Sequence, residues 1–331
     1  MTTTDPVSTT TDPTDGRSPA GHAPAGGRRR RRRTPNGPNQ HGRPFWMLAP
    51  SGFLMFFVIL VPLALAFYIS VIDLDQYTIQ HWLKAPFVGL QNYVEAINDT
   101  SLLHAVRLSV SQALLVSLIT MPIGIAAALA TQNAFRGRAV VRSVFLVPYI
   151  LPAFVVATVW RTMMHPQGLL DHVVGSVGID VGLWLNGPTS FWSLVLVQSW
   201  SSWPFYYLLV LAGLQSVDKE VHEASALDGA LWWTKLRYVV LPYLRGSILL
   251  ALVISFLHNV NAFTLPYVLF GVPAPHDVEV LPVLTYVTSF QSFRFGLSAA
   301  MAVVSLALVV VPLFLYLRAV RLDSGEDRVR R

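Results

Sequence analysis

The sequence predicts an all-α polytopic membrane protein: six transmembrane helices, both termini in the cytoplasm, and a short cytoplasmic helix between the fourth and fifth spans. Three observations carry this. Hydrophobic residues make up 53% of the 331 and charged residues only 13%, where a soluble domain carries about 25% charged residues. The apolar residues fall in nearly charge-free blocks of about twenty, each long enough to cross a hydrocarbon core of about 30 Å. The loops between the blocks alternate in their content of Lys and Arg, as an even number of crossings requires.

The spans are expected at about 47–72, 106–130, 140–160, 191–214, 247–270 and 297–317. Backbone inside a bilayer must satisfy its own hydrogen bonds, so these blocks should be helices, and the blocks lack the period-2 alternation of barrel strands. Pro62, Pro122, Pro148, Pro152, Pro204, Pro266 and Pro312 lie within them. Membrane helices tolerate proline, often with a kink.

Orientation follows from the cations. One side collects Arg28 to Arg33 and Arg43, then Arg136, Arg138 and Arg142, then Lys219, Lys235, Arg237 and Arg245, and finally Arg318, Arg321, Arg328, Arg330 and Arg331. The other side holds only Lys84, Arg107, Arg161 and Arg294. The cation-rich side is the cytoplasmic one. Three segments result: a disordered basic tail at 1–44, a six-helix domain at 45–320, and a basic tail at 321–331. The first tail is rich in Thr, Pro, Gly and Arg and cannot bury enough apolar surface to fold. It lacks the basic-then-apolar order of a cleavable signal. Its run of six arginines reads as a topological anchor rather than a nucleic-acid site, because no aromatic or structured element accompanies it.

Several chemistries are absent from the sequence. There is no cysteine, which excludes disulfides and thiolate chemistry. No G-x-x-x-x-G-K-[ST] phosphate loop occurs, no H-E-x-x-H or other paired metal-ligand spacing is present, and no acid lies mid-span. A catalytic site, a metal site and an ATP site are therefore not expected in this chain. An ion-coupled carrier would need a coupling site that the spans do not offer.

The longest inside connection, about 215–246, carries the most information. Asp218 can cap a helix start, Val221, Ala224 and Leu227 recur at helical spacing, and Gly229 is a helix-ending residue. A short helix, a turn and a second helix under the membrane are expected. The run EASALDG over 223–229, followed by Leu241 and Pro242, resembles the EAA loop of bacterial ABC importer permeases. LAGLQS at 211–216, FVGLQNY at 87–93 and GLWLN at 182–186 are similar to the sugar-importing, maltose/trehalose-type branch of that family. The family usually has Pro at the place of Asp218 and Ala at that of Ser225; both residues present here suit a helix start.

The resemblance implies a permease subunit of the bacterial inner membrane, working in a binding-protein-dependent importer. Its partners would be a second permease, a cytoplasmic ATPase dimer, an extracytoplasmic sugar-binding protein and membrane lipid, with no nucleic acid. ATP and Mg would be bound by the ATPase and no cofactor by this chain. Glu220, Glu223, Ala224, Ser225, Asp228, Gly229, Leu241 and Pro242 would couple it to the ATPase. By the same resemblance Gln198, Ser201, Ser202 and Phe205 of span four, with Ser255 and Asn259 of span five, would line a sugar pathway. The cargo would be a di- or oligosaccharide. Gln198, Ser202, Phe205 and Ala262 stand where the maltose-type pattern has Asn, Gly, Tyr and Asn, so the sugar would not be held in the same way. Each polar residue has a second reading as a helix–helix contact, and His258 is assigned to packing. A permease for a polyol or glycerol phosphate, an ion-coupled carrier, and a membrane scaffold are the competing readings.

Overall fold

The computed structural model describes residues 43–178, 182–215, 237–238 and 241–329, with side chains from 49 to 318. The tail 1–42 and most of the loop at 216–240, including Glu220, Glu223, Ala224, Ser225, Asp228 and Gly229, lie outside the described residues. The chain divides into two compact units, Met1–Leu54 and Met55–Arg331. The described part of the first belongs to helix α1 (Arg43–Met55), whose Phe53 and Leu54 are exposed.

The second unit opens with a π-helical turn, Phe56–Leu60, which runs into α2 (Val61–Ser70). The sequence explains the turn. Pro62 has no N–H to give to the preceding turn, and the N–H of Val61 reaches back five residues to the carbonyl of Phe56. Beyond α2 the segment 87–93 closes over the end of the first span. The N–H of Val88 donates to the Val71 carbonyl, and Asn92, at the start of α3 (Gln91–Asn98), donates its amide to the carbonyls of Ser70 and Ile72 at 3.0 and 2.9 Å. A helix C-terminus has carbonyls without helical partners, and the Asn92 amide satisfies that of Ser70 along with the Ile72 carbonyl just beyond the helix.

Asp99 caps α4 (Thr100–Thr131), accepting from the N–H of Ser101 at 2.9 Å. One face of α4 carries small residues at helical spacing: Ala105, Ser109, Ala113, Ser117, Thr120, Gly124 and Ala128, all buried. Small side chains let membrane helices approach closely. The partner here is α8 (Thr189–Gln215). At the tightest point a Cβ on Gly124 would come to 2.5 Å from the Tyr206 Cβ and 2.8 Å from the Tyr207 nitrogen, so only glycine fits.

The third span differs from its expectation as one continuous helix at 140–160. It is a pair, α5 (Arg138–Ile150) and α6 (Ala153–Met163), bent by 90°. Leu151 and Pro152 between them are extended, at ψ 135° and 137°. The ring of Pro152 drives the residue before it out of the helical region. The fifth span is also corrected, from 247–270 to α9 (Leu241–Val260), followed by a separate helix α10 (Thr264–Phe270). Pro266 cannot donate to the carbonyl four residues back, so α9 does not continue through 261–263. Leu241 and Pro242, expected in the inside loop, occupy the first turn of α9, where proline is tolerated.

The outer connections hold α7 (Leu169–Gly175) and α11 (Leu281–Phe290). α12 (Phe295–Val329) forms the last span and continues as a helix through the segment expected as a separate tail. Nothing between 318 and 329 supplies a proline to stop it. Among the described residues, five helices are long and apolar enough to cross a membrane: Ala49–Ser70, Thr100–Thr131, Thr189–Gln215, Leu241–Val260 and Phe295–Arg318. The bent α5–α6 pair brings the number to six. The described residues contain no strand beyond isolated bridges.

Candidate functional site: a cavity between two broken helices

α8 places Gln198, Ser201, Ser202 and Phe205 at spacings of three, four and seven, which puts all four on one helical face. That face looks into a cavity of about 700 Å³, within the usual range for a small-molecule site. α9 contributes Ile254, Ser255 and His258 to the wall. Apart from Val156 of α6, the remaining wall comes from the two helix breaks: Pro148, Tyr149, Leu151 and Ala153 from the α5–α6 bend, and 261–265 from the α9–α10 break. Non-helical backbone at membrane depth is tolerated where it lines a cavity.

The polar groups form a chain. The Gln198 amide donates to Asn259 Oδ1 at 2.9 Å, and the Asn259 amide donates to Ser255 Oγ at 3.1 Å. Ser201 Oγ donates to the Gln198 carbonyl at 3.0 Å. Gln198 Oε1 is buried without a hydrogen-bond partner among the described residues. An amide oxygen left in this state costs about 1–3 kcal/mol. Tyr149 and Phe205 bring two rings to the cavity, with centroids 6.3 Å apart. Among the described residues, none that lines the cavity is an acid, a lysine or an arginine.

Five of the six residues expected to line the pathway lie on this cavity: Gln198, Ser201, Ser202, Phe205 and Ser255. Asn259 does not. It is 1% exposed and sits behind the wall, where it bridges Gln198 to Ser255. His258, assigned to packing from the sequence, is on the wall instead. Tyr149 and the two breaks went unseen as wall elements. Pro148, Pro152 and Pro266 were their only signal, because a proline marks a break without saying what the exposed backbone faces.

An apolar helical bundle with a polar, uncharged cavity at its broken helices is the architecture of a membrane transport protein. The chain belongs to the family described as binding-protein-dependent transport system inner membrane component, whose pattern matches residues 120–321. It is 28% identical over 241 residues to the trehalose/maltose transport system permease protein MalF of Thermococcus litoralis, covering 72% of this chain and 81% of that one. It is 27% identical over 281 residues to the sulfoquinovosyl glycerol transport system permease protein SmoG of Agrobacterium fabrum, covering 83% and 89%. The sn-glycerol-3-phosphate transport system permease protein UgpA of the same organism is 26% identical over 269 residues, covering 81% and 90%. Among solved structures, a bacterial ABC transporter that imports the acidic polysaccharide alginate aligns with a TM-score of 0.69 at 20% identity, covering 83% of this chain and 95% of that chain. That alignment shows the shared fold. The family is one of transport components of the inner membrane, not of catalytic enzymes.

Proposed function

We propose that this chain is one of two permease subunits of an ATP-driven importer for a neutral sugar, and that the α8–α9 cavity holds the sugar during passage. The observation that carries the reading is the cavity wall: amide, hydroxyl and aromatic groups with no fixed charge. Sugars present hydroxyls to the first two and C–H faces to the third. The relative named for trehalose and maltose transport agrees with it.

Energy comes from a separate ATPase dimer that binds ATP and Mg, since this sequence has no phosphate loop. The segment 220–242 docks on that ATPase from the cytoplasmic side, where both termini also lie and the tail at 1–44 anchors the orientation. Glu223 pairs across the interface and Gly229 permits the turn that follows the docking helix. An extracytoplasmic binding protein delivers the sugar.

Uptake by proteoliposomes containing both permeases, the ATPase and the binding protein tests this. Glu223→Arg and Gly229→Asp are each expected to lower ATP-dependent sugar uptake at least ten-fold while leaving membrane insertion intact. Uptake that survives both removes the docking role.

A second reading, a permease for glycerol phosphate, is favoured by the UgpA relatives. A phosphate would call for Arg or Lys at the wall, and the wall has neither.

A further inference from the structure

Two histidines distant in the chain stack on each other at the outer face. His104 lies in the second turn of α4, and His276 opens a 3-10 turn, His276–Val278, in the connection from α10 to α11. Their rings are parallel within 5°, with centroids 3.9 Å apart. His104 Nε2 is 2.9 Å from the His276 carbonyl. A carbonyl only accepts, so Nε2 carries a hydrogen and Nδ1 is the nitrogen left to gain a proton. Further along, Val278 and Val280 are buried, and the Leu281 N–H donates to Ser109 Oγ at 2.8 Å. Residues 276–281 are thus held along α4. They follow α10, whose first residues line the cavity.

The turn packs on α4 and α8. α8 has no charged residue, and neither have α10 and α11 at the two ends of the connection. α4 brings Asp99 and, one turn from His104, Arg107; the connection itself adds Asp277 and Glu279. Burial pushes the Glu279 carboxyl above its ordinary value, His276 and His104 draw it back, and Asp99 adds to the rise. Taken alone, a carboxyl raised by burial holds its proton more tightly in the closed arrangement than in an open one, so acid would favour closure. The stacked rings act with the opposite sign. One imidazolium on a neutral ring meets the carboxylates around it. A second charge sets two cations 3.9 Å apart, a repulsion that separation relieves.

We propose that the His104–His276 stack is a proton-operated staple: with at most one ring charged it holds the α10–α11 connection on α4, and with both charged it lets go. Histidine is the side chain that ordinarily changes charge between about pH 5 and 8, so the staple responds to acidity on the outer side of the membrane. Release frees the outer end of α10, and with it one wall of the cavity. None of this depends on which solute the cavity carries.

The natural absence of cysteine allows a direct test. Val278→Cys, at a position 0% exposed, reports release of the connection, and Tyr77→Cys, at one 80% exposed, is the reference. Each is introduced singly into this chain of the assembled importer. Modification of the chain by a membrane-impermeant methanethiosulfonate is followed by mass spectrometry. Dividing the first rate by the second cancels the pH dependence of the thiol itself. From about pH 7.5 to about pH 5.5, where histidine gains its charge, this ratio is expected to rise about five-fold or more. His104→Gln and His276→Gln each leave one ring to charge, and each is expected to hold the ratio flat. A role in packing alone would shift the ratio by the same factor at both pH values. Glu279→Gln removes a counter-charge and is expected to bring the rise on at a higher pH. A ratio that does not rise in acid with both histidines present overturns the staple, and so does a rise that persists in either histidine variant. Loss of the pH dependence in Glu279→Gln assigns the proton to the carboxyl and overturns it as well.

Discussion

α8 and α12 are both long enough to span the membrane, yet they do opposite work. α12 is the more apolar of the two, and only 11% of its membrane window is buried within the chain. α8 is less apolar, and 56% of its window is buried. In a soluble protein the order would be reversed. Here the lipid solvates apolar side chains as well as a core does, so hydropathy marks the surface and polarity marks the interior. α8 accordingly buries Ser193, Gln198, Ser199 and Ser202, with Tyr206 and Tyr207 among its fully buried large residues. α12 turns Val311, Phe314 and Leu315 outward.

The sharpest way to break this contrast is at the α4–α8 seam. Gly124→Leu would drive a side chain into the backbone of α8 at Tyr207. A loss of about 3 kcal/mol is expected from overpacking that cannot relax, seen as a collapse of the detergent-solubilised melting temperature and of yield.

The Gln198–Asn259 hydrogen bond, which joins α8 to α9 at 2.9 Å, should show an intermediate effect. In a double-mutant cycle with Gln198→Leu and Asn259→Leu, a coupling of about 0.6–2 kcal/mol is expected, the range measured for polar pairs between membrane helices. Unfolding in mixed micelles measures it, and additive single effects would show that the pair does not couple. The smallest effect belongs to the lipid-facing side of α12. Val311→Leu, at a position 55% exposed, should change stability by no more than about 0.5 kcal/mol. A large loss there would mean that Val311 faces protein in the assembled transporter, and the contrast between the two helices would narrow.

Much of the candidate site was legible because helical spacing is a local property. Gln198, Ser201, Ser202 and Phe205 share a face whatever surrounds them, and the structure brings that face to a cavity. Asn259 lies behind the wall and its neighbour His258 on it; successive helical side chains differ by about a hundred degrees, and nothing local says which of the two looks at open space. The helix α11 escaped notice for another reason. At ten residues it is too short to read as a span, and its place is set by packing against α12.

The sequence by itself determined that this chain lives in a membrane, roughly where its apolar spans lie, and which family it joins. Those follow from hydropathy, cation placement and short motifs, all of which act over a few turns of chain. Only the tertiary structure decided that the third span turns by 90°, that the fifth stops at Val260, and that both breaks open on one cavity. Proline removes a donor and restricts its neighbour, which breaks a helix locally. The direction of the next helix is set by what it packs against, and the space left between them belongs to no single segment of the chain.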